Sequence, residues 1–198
     1  MNMTLTNRQS PTRAKQAQDS KADFQTAFES LFQQNWGSLC RVLYRLVGDW
    51  DEAEDLALET FVRLYHRPPA EEQNLGGWLY RVGTNLGLNA LRSRKRRQHY
   101  EEQAGAHVFS DAQSSNPEAE VERLLERQQV RAALAAMKPR LAQVLVLRHA
   151  GMSYAEIADA AGIAHGSVGT LLGRAETEFE KKYRQMQKKA VRLEREGG

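Results

Sequence analysis

The segment Ser153 to Ala175, SYAEIADAAGIAHGSVGTLLGRA, constrains the fold more tightly than any other stretch of the chain. Ser153 followed three residues later by Glu156 is a capping box, which fixes where a helix starts. Tyr154, Ile157 and Ala158 supply an inner face, and Ala160-Ala161-Gly162 allows close approach before a left-handed terminator. Ile163 plugs the turn, and Val168, Leu171 and Leu172 anchor a second helix from about His165 onward. Two helices joined in this way form a helix-turn-helix, whose second helix enters the major groove with its N-terminal residues facing base edges. His165, Ser167, Thr170 and Arg174 are the polar groups at that end, and Arg174 is its one cation, so autonomous DNA binding is expected to be weak. A small helical hairpin that merely packs on its neighbours is the alternative.

The rest of the chain reads as helix almost throughout, and the fold class is all-α: two small helical domains joined by a flexible linker. Phe24, Phe28, Leu31 and Phe32 share one helical face, and a second helix follows through Leu39, Val42, Leu43 and Leu46 to Gly48. Asp49 or Asp51 caps a third helix, which runs through Ala53, Leu56, Phe61, Val62 and Leu64 and stops at Pro68-Pro69. A fourth begins near Leu75. The composition EEQAGAHVFSDAQSSN marks a connector over 100–116. Asn116-Pro117 restarts a helix that Lys138-Pro139 breaks. The expected organisation is a disordered tail over 1–22, a helical domain over 23–99, the acidic linker over 100–116, the helix-turn-helix domain over 117–185 and a basic tail over 186–198.

Net charge is only +3, but its distribution is uneven. Arg81, Arg92, Arg94, Lys95, Arg96 and Arg97 occur with no acid between Arg81 and Gln98; acids without Lys or Arg follow as far as Glu122. Such segregation suggests a polyanion-facing surface beside a solvated connector. Within GGWLYRVGTNLGLNALRSRKRR, Gly83 and Gly87 flank Thr84-Asn85-Leu86, which reads as a local helix break presenting the Asn85 amide. An amide beside an aromatic-lined cavity can hydrogen-bond an unstacked base, and the arginines neutralise phosphates. Against this, Trp78 at helical spacing is readily core, and Arg94 to Arg97 is readily a solvated helix end.

These motifs, with AEDLALETFVRLY at Ala53–Tyr65, resemble the bacterial sigma factors of the extracytoplasmic-function group, over nearly everything from Phe24 to about Tyr183. The resemblance implies a transcription initiation factor. Its first domain binds the β′ clamp helices of core RNA polymerase and melts the −10 element; its second reads the −35 element, with a β flap contact to the polymerase. The polymerase-binding face falls on Asp55, Leu58, Glu59 and Phe61, where physical reasoning alone gives a solvated acidic face. The −10 side falls on Trp78, Arg81, Asn85, Asn89, Arg92, Arg94, Lys95, Arg96 and Arg97, and the −35 side on His165, Ser167, Thr170 and Arg174. The linker, with Glu101, Glu102 and Asp111, suits an RNA-mimicking role in the polymerase. An anti-sigma protein is implied as a further partner. The chain departs from the family pattern at Leu58, where a glutamine is common, at Ala164, usually hydroxyl-bearing, and at Gly169 and Leu171, often cationic.

An independent helix-turn-helix regulator is the alternative reading, distinguished by stable DNA binding without polymerase. No enzyme is expected, and no cofactor or metal: the five histidines do not pair at metal-ligand spacings, and no phosphate-cradling glycine loop occurs. The single cysteine, Cys40, sits among apolar neighbours at helical spacing and reads as core in a reducing compartment. With no apolar run of membrane-spanning length and no secretory signal, a cytoplasmic location without direct membrane insertion is expected.

Overall fold

A computed structural model describes residues 11–69, 74–103 and 117–196. Among these the chain is helical: α1 (Pro11–Val47), α2 (Trp50–His66), α3 (Leu75–Gln103), α4 (Pro117–Ala136), α5 (Pro139–His149), α6 (Tyr154–Ala161), a 3₁₀ turn at His165–Ser167, and α7 (Val168–Glu196). None of these helices is long and apolar enough to cross a membrane.

Helices α1 to α3 form a bundle around Leu39, Leu43, Leu46, Phe61, Leu64, Leu79 and Leu88. The two helices expected within α1 are one. Phe32 stacks on Trp36 at 4.9 Å, both rings pack on Phe61, and the helix runs on through the next residue, Gly37, without interruption. The helix also starts at Pro11, within the segment read as a disordered tail; residues 1–10 lie outside the described residues. Cys40 is buried, and that burial raises its thiol pKa, with Glu54 adding to the effect, which keeps the thiol neutral.

The break expected around Asn85 does not occur, because α3 passes through Gly83 and Gly87 unbroken. Each glycine marks a close helix crossing instead. A Cβ on Gly83 would stand 2.8 Å from Leu39 Cδ1, and one on Gly87 would stand 2.9 Å from Leu46 Cδ1 and 3.0 Å from Leu43 Cδ2. Their helix cost of about 1 kcal/mol each is offset by the approach of α1 that they permit. The same helix runs on to Gln103, past the expected start of the linker at residue 100; residues 104–116 lie outside the described residues.

Asp49 is the α2 cap, accepting the Glu52 N–H at 2.8 Å, which decides between the two candidate aspartates. At Gly48 the chain turns with φ +81°, and the Arg131 guanidinium of α4 lies where a Cβ would project.

Helix α5 is buried at every position from Leu141 to Leu147, as a helix enclosed on all sides must be. Leu141, Ala142, Leu145 and Val146 join the core of the first bundle. Val144 and Leu147 face Ile157, Ala158, Ala160, Val168 and Leu172 of the second. The two bundles therefore share α5 as a common wall and pack directly against each other.

Candidate nucleic-acid interface

The second bundle ends in a helix-turn-helix whose local geometry follows from its sequence. Ser153 Oγ accepts the Glu156 N–H at 3.3 Å, while Glu156 Oε2 accepts the Ser153 N–H at 2.8 Å, closing the capping box. The hydrogen bonds from the Ser153 hydroxyl and backbone hold the Glu156 carboxyl below its ordinary pKa. Gly162 ends α6 at φ +62°, and Ile163 N–H returns to Ala158 O at 2.9 Å. From α5, Arg140 braces the turn by donating to Gly162 O at 3.0 Å. Tyr154, expected on the inner face, is 42% exposed and lies under the Arg148 guanidinium, 5.6 Å from the ring centre. It sits at the first helical position, where the side chain can turn outward.

Ala164 opens the next helix without a side-chain cap bond, and the chain enters α7 through the 3₁₀ turn. His165, Ser167, Thr170 and Arg174 are all exposed. Ser167, Thr170 and Arg174 line one open groove together with Arg140 and Gly166, whereas His165 stands outside it. Sequence reasoning missed Arg140, which lies far off in sequence and reaches the groove only through the packing of α5.

On α3 the unbroken helix puts Asn85, Asn89, Arg92 and Arg96 at i, i+4, i+7 and i+11, on one face. Asn85, Asn89, Arg96 and Arg97 are exposed, and Arg96 donates to Ser93 Oγ at 2.9 Å. Arg92 is half-buried; its Nη1 lies 3.4 Å from Asn89 Oδ1, its Nη2 has no partner, and desolvation lowers its pKa.

Four residues placed on the −10 side are engaged elsewhere. Trp78 is half-buried against the core of the first bundle. Arg81 reaches the end of α6, where Nε donates to Ala160 O at 2.7 Å and Nη2 to Asp159 O at 2.5 Å. Arg94 pairs with Glu52 and donates to Val47 O at 2.8 Å. Lys95 Nζ lies 3.5 Å from Ala132 O of α4. In this arrangement these side chains hold helices together instead of presenting themselves to a ligand.

Helix α2 presents a third surface. Leu58, Val62 and Tyr65 are 51%, 44% and 48% exposed at i, i+4 and i+7, an apolar stripe flanked by exposed Asp55 and Glu59. Glu59 accepts from Arg63 at 2.6 Å. Phe61, placed on this face from the sequence, is 1% exposed and packs edge-on to Phe28 at 6.0 Å, so it shapes the surface from beneath. Val62 and Tyr65 take its place on the outside, legible in hindsight as the period-3.6 continuation of Leu58.

Two regions of the chain match known protein families. Residues 31–97 match the sigma-70 region 2 family and residues 127–178 match sigma-70 region 4. The chain is 31% identical over 154 residues to the extracytoplasmic-function sigma factor SigE of Mycolicibacterium smegmatis, covering 75% of this chain and 58% of that protein. It is 26% identical to SigW of Bacillus subtilis over 181 residues, covering 87% and 97%. The fold is similar to that of CnrH, solved in complex with the cytosolic domain of CnrY, with 22% identity and a TM-score of 0.50 over 79% of this chain and 87% of that one. The chain belongs to the sigma-70 family, in its extracytoplasmic-function group.

Proposed function

We propose that the chain is a transcription initiation factor that binds core RNA polymerase and directs it to promoters by reading the −10 and −35 elements. The observation that carries this reading is the order of the two sigma-70 regions along the chain, each with an exposed polar helix face of the kind that contacts DNA. On α3 the face is Asn85, Asn89, Arg92 and Arg96, with exposed Arg97 beside it: amides for an unstacked base, guanidiniums for phosphate. On the helix-turn-helix it is Ser167, Thr170 and Arg174 with Arg140 beside them, and His165 at the entry of the helix. Arg81 and Lys95, tied to α6 and α4, join the −10 side when the bundles separate, whereas Trp78 and Arg94 are engaged within the first bundle itself. The chemistry of initiation belongs to the polymerase; this protein positions it.

The polymerase contact is the α2 stripe of Leu58, Val62 and Tyr65 with Asp55 and Glu59. Burying one such aliphatic side chain contributes about 1.5–3 kcal/mol, so Leu58→Asp with Val62→Asp should weaken association with core polymerase by at least about tenfold. Gel filtration of the mixed proteins reads this. Undiminished co-elution of the double variant would exclude the α2 stripe. The solved complex of CnrH with CnrY supports an anti-sigma protein as a further partner of this chain.

A further inference from the structure

Helix α7 runs 29 residues to Glu196, whereas the region 4 match ends at residue 178. The additional turns carry an ordered surface. Thr170, Arg174, Thr177, Lys181, Arg184 and Lys188 succeed one another at steps of four and three residues, so they share one helix face, and all six are exposed. At 1.5 Å per residue the stripe is about 27 Å long. It begins with two residues assigned above to −35 reading and contains hydroxyls and cations but no acid.

The acids of the same stretch are turned or tied elsewhere. Glu176 lines a groove shared with Val42 and Arg45 of α1. Glu178 Oε1 accepts the Lys138 N–H at 2.7 Å, so it caps α5. Glu178 also lines the groove beside Thr170, Arg174, Thr177 and Lys181, and Glu180 borders the stripe further on, where it pairs with Arg184 at 2.5 Å in solvent. Phe179 and Tyr183 stack on each other at 5.7 Å and are half-buried, which fixes the rotation of the helix. Lys138 adds a further cation beside Thr170, Arg174, Thr177 and Lys181.

We propose that Lys181, Arg184 and Lys188 grip the phosphate backbone of duplex DNA flanking the −35 element. The proposal rests on the −35 reading of the helix-turn-helix and adds to a unit poor in cations, where Arg174 is joined only by Arg140, itself tied to the turn at Gly162. A continuous helix carrying cations across a major groove is an established way to hold duplex DNA. Contacts of this kind position the protein without reading sequence.

The test uses the full chain bound to core polymerase and a labelled promoter duplex, with affinity followed by anisotropy from about 50 to 200 mM salt. Each lost phosphate contact removes about 0.9 from the slope of log affinity against log salt, so K181A/R184A/K188A should lower it by about 2.7. Over that range the wild type should then lose roughly 40-fold more affinity than the variant. The preferred −35 sequence should not change. The difference should vanish on a template whose duplex lacks the −35 region. Glu180→Gln, which frees Arg184, should tighten binding at low salt. An unchanged slope in the triple variant of a wild type that requires the −35 duplex would overturn the stripe alone, as would weaker binding of that variant to core polymerase. A wild-type complex indifferent to the −35 duplex would overturn the reading on which the stripe rests.

Discussion

At Gly87 a single hydrogen atom in place of a methyl group decides how closely two helices pack. The side chains of Leu43 and Leu46 occupy the space a Cβ would need, so Gly87→Val forces α1 and α3 apart. Overpacking of this kind costs about 1–3 kcal/mol, and urea denaturation should show that loss; a variant as stable as the parent would contradict the tight crossing. Glu156 controls stability through charge instead. Its carboxyl has a folded pKa below the ordinary 4.5 because Ser153 hydrogen-bonds the ionised form. A depressed folded pKa means that the unfolded chain takes up the proton first. The capping box therefore contributes its full stability above pH 4.5 and loses it as pH falls below that value through the folded pKa. Glu156→Ala should destabilise by about 0.5–2 kcal/mol at neutral pH, and the gap should narrow in melts taken below that pH. A gap that widens on acidification would give the wrong sign.

Among the elements, α3 carries most of the residues proposed for DNA contact and departs most from the sequence reading. Periodicity and composition report local preference, and two glycines flanking Asn85 weaken a helix locally. The contacts that restore it come from Leu39, Leu43 and Leu46, some forty residues earlier, and no local pattern reveals them. Where the determinants are local, the sequence was legible: the capping box at Ser153, the left-handed Gly162 and the Asp49 cap all stand as their residue types require. Phe61 shows the limit of motif matching, since a motif preserves residue order and says nothing of which side of a helix is buried. Of the stripe on α7, composition showed the cations but not that Lys181, Arg184 and Lys188 share one exposed helix face. An unbroken α3 sharpens the role of Asn85, now the first of a helical row with Asn89 and Arg92. Asn85→Ala should reduce open-complex formation several-fold, measured by permanganate reactivity of unpaired thymines, while co-elution with polymerase is unchanged. Loss of polymerase binding instead would remove Asn85 from the −10 face.

On the scale of the whole molecule, the two bundles are held together by the apolar wall of α5 and by polar contacts around it. Helix α6 has no basic residue in its last turn, and Arg81 supplies the charge from α3, where it meets the negative end of the helix dipole. Gln143 Nε2 donates to Thr84 Oγ1 at 3.0 Å in the same seam, and Asn74 reaches Asp159 at 2.8 Å. An apolar groove of about 400 Å³ remains between the bundles, lined by Val42, Leu46, Val130, Leu134 and Phe179 among others. Arg81 is tied to α6 in this closed arrangement, so separation of the bundles would release it, whereas Arg94 is held by Glu52 and Val47 within the first bundle itself. Arg81→Ala should weaken the seam, and pulsed electron resonance between spin labels on α1 and α7 should show longer distances; an unchanged distribution would make Arg81 incidental to closure. The central claim concerns what the opened molecule does with polymerase. Run-off transcription with purified core enzyme and a genomic promoter library tests it most directly. Discrete new start sites that require this chain, sharing −10 and −35 sequences, are the predicted result. Stable binding of the chain to DNA without polymerase, and no start site that depends on it, would contradict the account and establish an independent regulator.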